Sequence, residues 1–126
     1  MSDDIKKKID VVFIAGGKFH DIDFARLEIL KLLAEDDRMK TRVFEDYSNL
    51  HAIENADFLI TYTCDVRPTL EQQKALKKYV ASGKRWLALH GTNSILQFMS
   101  DGKVDSPRIA PIMMETLGSQ FIAHPP

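Results

Sequence analysis

Arg85-Trp86-Leu87-Ala88-Leu89-His90-Gly91-Thr92-Asn93 joins an apolar run to a polar turn. An unbroken apolar run from Trp86 to Leu89 leads into a histidine, a glycine and two small polar residues. A run this short, entered from the Gly83-Lys84-Arg85 break, predicts a strand buried on both faces. His90 then stands at its carboxyl end, where open parallel α/β sheets bind their ligands. Gly91 lets the backbone turn sharply there, because it carries no Cβ to clash at positive φ. Strand, sharp turn and polar residue make the geometry of a nucleophile elbow, with an imidazole in the place of a serine or cysteine.

Near the start of the chain, Ile9-Asp10-Val11-Val12-Phe13-Ile14-Ala15 predicts a first buried strand that ends at Gly16-Gly17. Asp21 or Asp23 is placed to cap the following helix, which runs to about Ala34. Phe24, Leu27, Ile29, Leu30, Leu32 and Leu33 give that helix a broad apolar stripe. Thr41 to Glu45 alternates polar and apolar residues, as an outer strand would. A short connection with one helical turn after Ser48 leads to a third strand, Ala56 to Thr63, which delivers Cys64 and Asp65 at its carboxyl end.

Thr69-Leu70-Glu71-Gln72 is a capping box opening a helix with Gln72, Ala75, Leu76, Tyr79 and Val80 on one stripe and Gly83 at its end. Asn93 to Met99 is expected to be a short helix stopped by Asp101-Gly102. Ser106-Pro107 is expected to start a last one, closed by Gly118, with a short strand or extended piece behind it. The order β-α-β-β-α-β-α-α predicts an α/β doubly wound parallel sheet between helical layers, a flavodoxin-like three-layer sandwich with strand order 2-1-3-4.

The chain has 126 residues, the size of one domain, with 44% hydrophobic and 28% charged residues and a net charge of −1. That balance exerts no long-range pull on nucleic acid or anionic membrane, and Lys6-Lys7-Lys8 and Lys77-Lys78 fit solvated faces. Aromatic residues are not interleaved with basic ones, which speaks against single-stranded nucleic acid. No apolar run approaches the ~20 residues of a membrane helix. The start of the chain has no apolar signal region and there is a single cysteine, so the expected compartment is the cytoplasm.

Strand ends one, three and four offer His20 and Asp21, Cys64 and Asp65, and His90, Thr92 and Asn93. Strands lie ~4.8 Å apart, so ends one and four are ~10 Å apart across strand three, a gap side chains can bridge. His90 and His20 are the candidate catalytic residues, since imidazole changes charge near neutral pH and also ligates metals. Gly91, Thr92, Asn93, Cys64 and Asp65 are the candidate substrate contacts. Asp21 has the simpler role of a helix cap, and Cys64 that of a space-filling core residue. His51 fits an exposed connection. Neither a dinucleotide or P-loop glycine pattern nor a Cys-x-x-Cys or His-Glu-x-x-His motif is present.

Three pieces, taken in order, resemble the ThuA-like (trehalose-utilisation) family of the class I glutamine amidotransferase-like superfamily. They are Ile14-Ala15-Gly16-Gly17-Lys18-Phe19-His20-Asp21, Trp86-Leu87-Ala88-Leu89-His90-Gly91-Thr92, and Leu117-Gly118-Ser119-Gln120-Phe121-Ile122-Ala123-His124-Pro125. Ala88 and Ser119 stand where the family often has glycine. The resemblance implies a flavodoxin-like domain longer than this chain, of which residues 1–126 would be an incomplete single unit, and a role in trehalose or keto-sugar metabolism. It carries over His20, His90, Gly91 and His124.

Two chemistries stay open on these residues. One is a carbohydrate-processing hydrolase or isomerase, with His20 and His90 as an acid–base pair or, with His124, as ligands of a divalent metal such as zinc. The other is a non-catalytic sugar-binding or regulatory domain. The expected partner is a small carbohydrate, with no nucleic acid and no membrane, and self-association is left open. Glutaminase activity is not expected: the elbow position is His90, and without a thiolate there is no route to a glutamyl thioester.

Overall fold

The computed structural model describes residues 7–124. Four strands form one all-parallel sheet: β1 (Ile9–Gly17), β2 (Met39–Phe44), β3 (Phe58–Cys64) and β4 (Arg85–Leu89), in the spatial order β2-β1-β3-β4. This is the flavodoxin-like order expected from the sequence. Helix α1 (Ile22–Leu33) covers one face, packing Ile22, Ile29, Leu30 and Leu33 on Val11, Phe13, Ala15 and Ile60. The helices α2 (Leu50–Asn55), α3 (Leu70–Ala81) and α4 (Pro111–Leu117) lie on the other, over Val12, Ile14 and Leu59. Residues Val11 to Ala15 of β1 are wholly buried. Alternate side chains of one strand therefore feed two different cores, as the period of two dictates.

Local signals set the helix ends. Asp21, not Asp23, caps α1 by accepting from the Phe24 N–H at 3.0 Å. The capping box of α3 is formed in both directions, Gln72 N–H to Thr69 Oγ1 at 3.1 Å and Thr69 N–H to Gln72 Oε1 at 2.9 Å. Asn49 caps α2 through the Ala52 N–H. Gly118 closes α4 in the left-handed conformation.

Four expectations are corrected. First, β4 is not buried on both faces. Among the described residues it pairs with β3 alone, and Leu87, on the same face as Ile60 but outside the cluster under α1, is 55% exposed. An apolar run specifies a strand, but its neighbours decide whether it is central or an edge. Second, the apolar stripe of α1 is narrower than expected. Phe24, Leu27 and Leu32 are exposed, because one turn of helix presents only its sheet-facing side.

Third, Asn93 to Met99 is not a helix. The segment runs extended into β5 (Gln97–Phe98), which pairs antiparallel with β6 (Val104–Asp105); β6 in turn pairs with β7 (Ala123–His124). Its backbone is held from outside. The Leu96 N–H donates to Asp65 Oδ1 at 3.0 Å, and Ser94 O accepts from the Asp65 N–H at 2.9 Å. Ile95 is wholly buried in the larger core. Those contacts outweigh a short, weakly nucleated helix.

Fourth, the last helix starts at Pro111 rather than at Ser106-Pro107. Its cap comes from another helix. Gln73 on α3, itself buried, accepts from the Ile112 and Met113 N–H groups at 3.1 and 3.3 Å. No helix among the described residues is long and apolar enough to cross a membrane.

Candidate functional site

The site is built by pinning two loops against the end of β3. Gly17 has φ +107, and a Cβ there would stand 1.9 Å from the Cys64 carbonyl oxygen, so only glycine fits. The Lys18 N–H then donates to that same oxygen at 2.9 Å. Phe19 follows at φ 68, in the left-handed region, which turns Phe19 and His20 outward over the sheet edge. Behind β4, Gly91 at φ +78 lies against the Thr63 carbonyl, where a Cβ would be 2.3 Å from the oxygen. His90 is held at this turn.

The two loops bring His20 and His90 together. Their ring centroids are 4.6 Å apart with an interplanar angle of 68°. Both are exposed, so the pair is open to a ligand. Tyr62, on β3 between them, completes the cluster at 6.4 Å from His20 and 6.1 Å from His90. It was not a sequence candidate. It shares a strand face with Cys64 two residues on, and that alternation was the available signal.

The expected substrate contacts divide. Thr92 is buried and faces inward. Its Oγ1 donates to the Leu89 carbonyl at 2.6 Å and lies 2.9 Å from Thr61 Oγ1, which also accepts from Trp86 Nε1 at 2.9 Å. It fastens the elbow to β3. Asp65, with φ 59 and a side chain only 4% exposed, is likewise engaged. It accepts from the Leu96 N–H and from Arg67 Nε, and Lys18 Nζ lies 3.4 Å away. It ties the β1 loop, the β3 loop and the Ser94–Leu96 segment together. Asn93 faces the surface, with Nδ2 donating to Ser119 Oγ at 3.0 Å.

Cys64 is 2% exposed, and burial, with Asp65 beside it, pushes its thiol pKa up. A thiol so held stays protonated, which is the reverse of what a nucleophile needs. Its place is in the wall of a cavity of about 390 Å³. Phe19, Leu96, Phe98, Val104 and Phe121 form most of that wall, and His20, His90 and Gly91 also line it. The wall exists because residues 94–98 are extended, which the helix expectation concealed. A second cavity of about 230 Å³ shares His90 and Gly91 and is lined by Asn93 and Ser119.

The metal expectation fits only in part. A catalytic zinc takes three protein ligands. His20 and His90 supply two imidazoles, the side chain of His124 lies outside the described residues, and no cluster of three or more His, Cys, Asp or Glu that could hold a metal occurs among the described residues.

Compared with protein-family models, curated proteins and solved structures, the chain matches none.

Proposed function

We propose that the chain is a ThuA-like domain of carbohydrate metabolism, working in the cytoplasm on a small sugar or keto-sugar, with His20 and His90 as its acid–base pair. The observation that supports this reading is the 4.6 Å approach of the two imidazoles at the carboxyl end of the sheet, beside a ligand-sized cavity. Open parallel sheets bind substrates at this edge.

Two adjacent imidazoles suit proton transfer in both directions. In an isomerisation, one takes the proton from the carbon beside a carbonyl and the other protonates the oxygen, returning the pair to its starting charge when the roles reverse. In a hydrolysis, one draws a proton from water and the other gives one to the leaving oxygen. Tyr62 lies beside both rings, 6.4 Å from His20 and 6.1 Å from His90. Glutaminase chemistry is not part of the reading, because the one thiol lies buried on β3 with a raised pKa and the elbow carries His90.

A screen of disaccharides, sugars and keto-sugars for turnover tests this. Conversion that falls at least ~100-fold in both His20→Ala and His90→Ala is the expected result. Full activity in His90→Ala would overturn the assignment. Binding without turnover by the unaltered chain would replace it with a non-catalytic sugar-binding domain.

A further inference from the structure

The two cavities that meet at His90 and Gly91 differ in chemistry. The larger, about 390 Å³, is walled by Phe19, Leu96, Phe98, Val104 and Phe121 and has almost no polar surface away from the histidines. Phe19 and Phe98 form its lip, stacked edge to face with centroids 5.0 Å apart. Both are more than half exposed, at 57% and 59%. Exposed aromatic surface at the mouth of a cavity marks a place where ligand covers it. The smaller cavity, about 230 Å³, presents the amide of Asn93 and the hydroxyl of Ser119.

From this we infer that the ligand has two unlike halves: a hydroxylated unit over Asn93 and Ser119, and an apolar aryl or short alkyl group in the Phe19–Phe98 slot, with the reacting bond over the histidine pair. The inference rests on the carbohydrate reading above and names the class of carbohydrate. A bare polyol in the apolar slot would leave its hydroxyl groups stripped of water without partners, which disfavours it there. An apolar cavity of ~150 Å³ already holds a benzene ring, so the slot has room for a phenyl group and more. The polar cavity alone is smaller than the ~300–1,000 Å³ of ordinary small-molecule sites, so a ligand held by Asn93 and Ser119 has its remaining room in the larger cavity beyond His90 and Gly91.

The test uses the whole chain and three probes: methyl glucopyranoside, phenyl glucopyranoside and benzyl alcohol, with affinities from ligand-observed NMR. Phenyl glucopyranoside should bind about tenfold or more tightly than methyl glucopyranoside, the gain expected for burying an aryl ring. Phe98→Ala, at an exposed position, should bring the two glucosides together. Asn93→Ala, or Ser119→Ala should the first variant unfold, should weaken both glucosides and leave benzyl alcohol unaffected. Equal affinity for the two glucosides would overturn the two-part ligand and leave the carbohydrate reading standing. Benzyl alcohol binding as tightly as phenyl glucopyranoside, with no methyl glucopyranoside bound, would overturn both. So would failure of every probe to bind.

Discussion

Gly91 packs against the carbonyl of Thr63 so closely that a Cβ on it would stand 2.3 Å from that oxygen. The elbow that carries His90 is therefore fixed by backbone against backbone, with no flexible side chain available to give way. Gly91→Ala, at φ +78, must strain the turn or push the loop off β3. We expect a loss of about 1–3 kcal/mol by urea denaturation, with displacement of the His90 imidazole signals. An unchanged midpoint would show that the turn is looser than this packing requires.

Asp65 holds the site from below. Its carboxylate is almost wholly buried and takes the Leu96 N–H, while Lys18 and Arg67 reach it from exposed positions. Asp65→Ala removes the acceptor and leaves a part-buried N–H unpaired, at about 1–3 kcal/mol. Asp65→Asn keeps an oxygen in the same place and tolerates the left-handed backbone, so it should cost less. Denaturation of the two variants side by side checks the order. Equal losses would mean that the charge matters and the Leu96 bond does not.

Gln73 stands in for the absent side-chain cap of α4. Gln73→Leu should cost about 1–2 kcal/mol, the size of a lost N-cap. The loss should appear in hydrogen exchange as faster exchange at Ile112 and Met113. Slow exchange at those two amides in the variant would contradict the capping role.

High pH gives an independent check of the packing on the helix side. Burial pushes Tyr47 and Tyr79 from 10.0 up to about 12. Asp57 adds to the rise at Tyr79. A phenol whose pKa is raised by folding stabilises the fold below its unfolded value, and that contribution is lost as pH climbs. Stability should therefore decline between about pH 10 and pH 12, with Tyr47→Phe and Tyr79→Phe each flattening the decline. A flat stability curve across that window in the unaltered chain would contradict the burial of both phenols.

What the sequence made legible is what local chemistry decides. The strand order follows from alternating elements, the Thr69–Gln72 box from residues three apart, and the approach of His20 to His90 from two strand ends flanking β3. What stayed hidden is decided by distant partners. Leu96 is pulled from a helix by Asp65, and Ile95 by the core. The order 2-1-3-4 already put the fourth strand at an edge; what its apolar run concealed is that Leu87 is exposed there, where β4 ends the sheet among the described residues. Thr92 looked like a site residue by its position after the histidine, and only its bonds to Thr61 and Leu89 turn it inward. Tyr62 enters the cluster because the loops fold back over it.

An imidazole-resolved NMR titration of the whole chain with phenyl glucopyranoside tests directly whether His20 and His90 form one ligand site. His20 and His90 share one site, while His51 lies exposed on α2 with its ring beside Asn55 and away from the cavities, and serves as an internal control. The ring signals of His20 and His90 should move together along a single saturating curve while those of His51 stay still. Movement of one without the other, or no movement of either at saturation, would contradict a shared site.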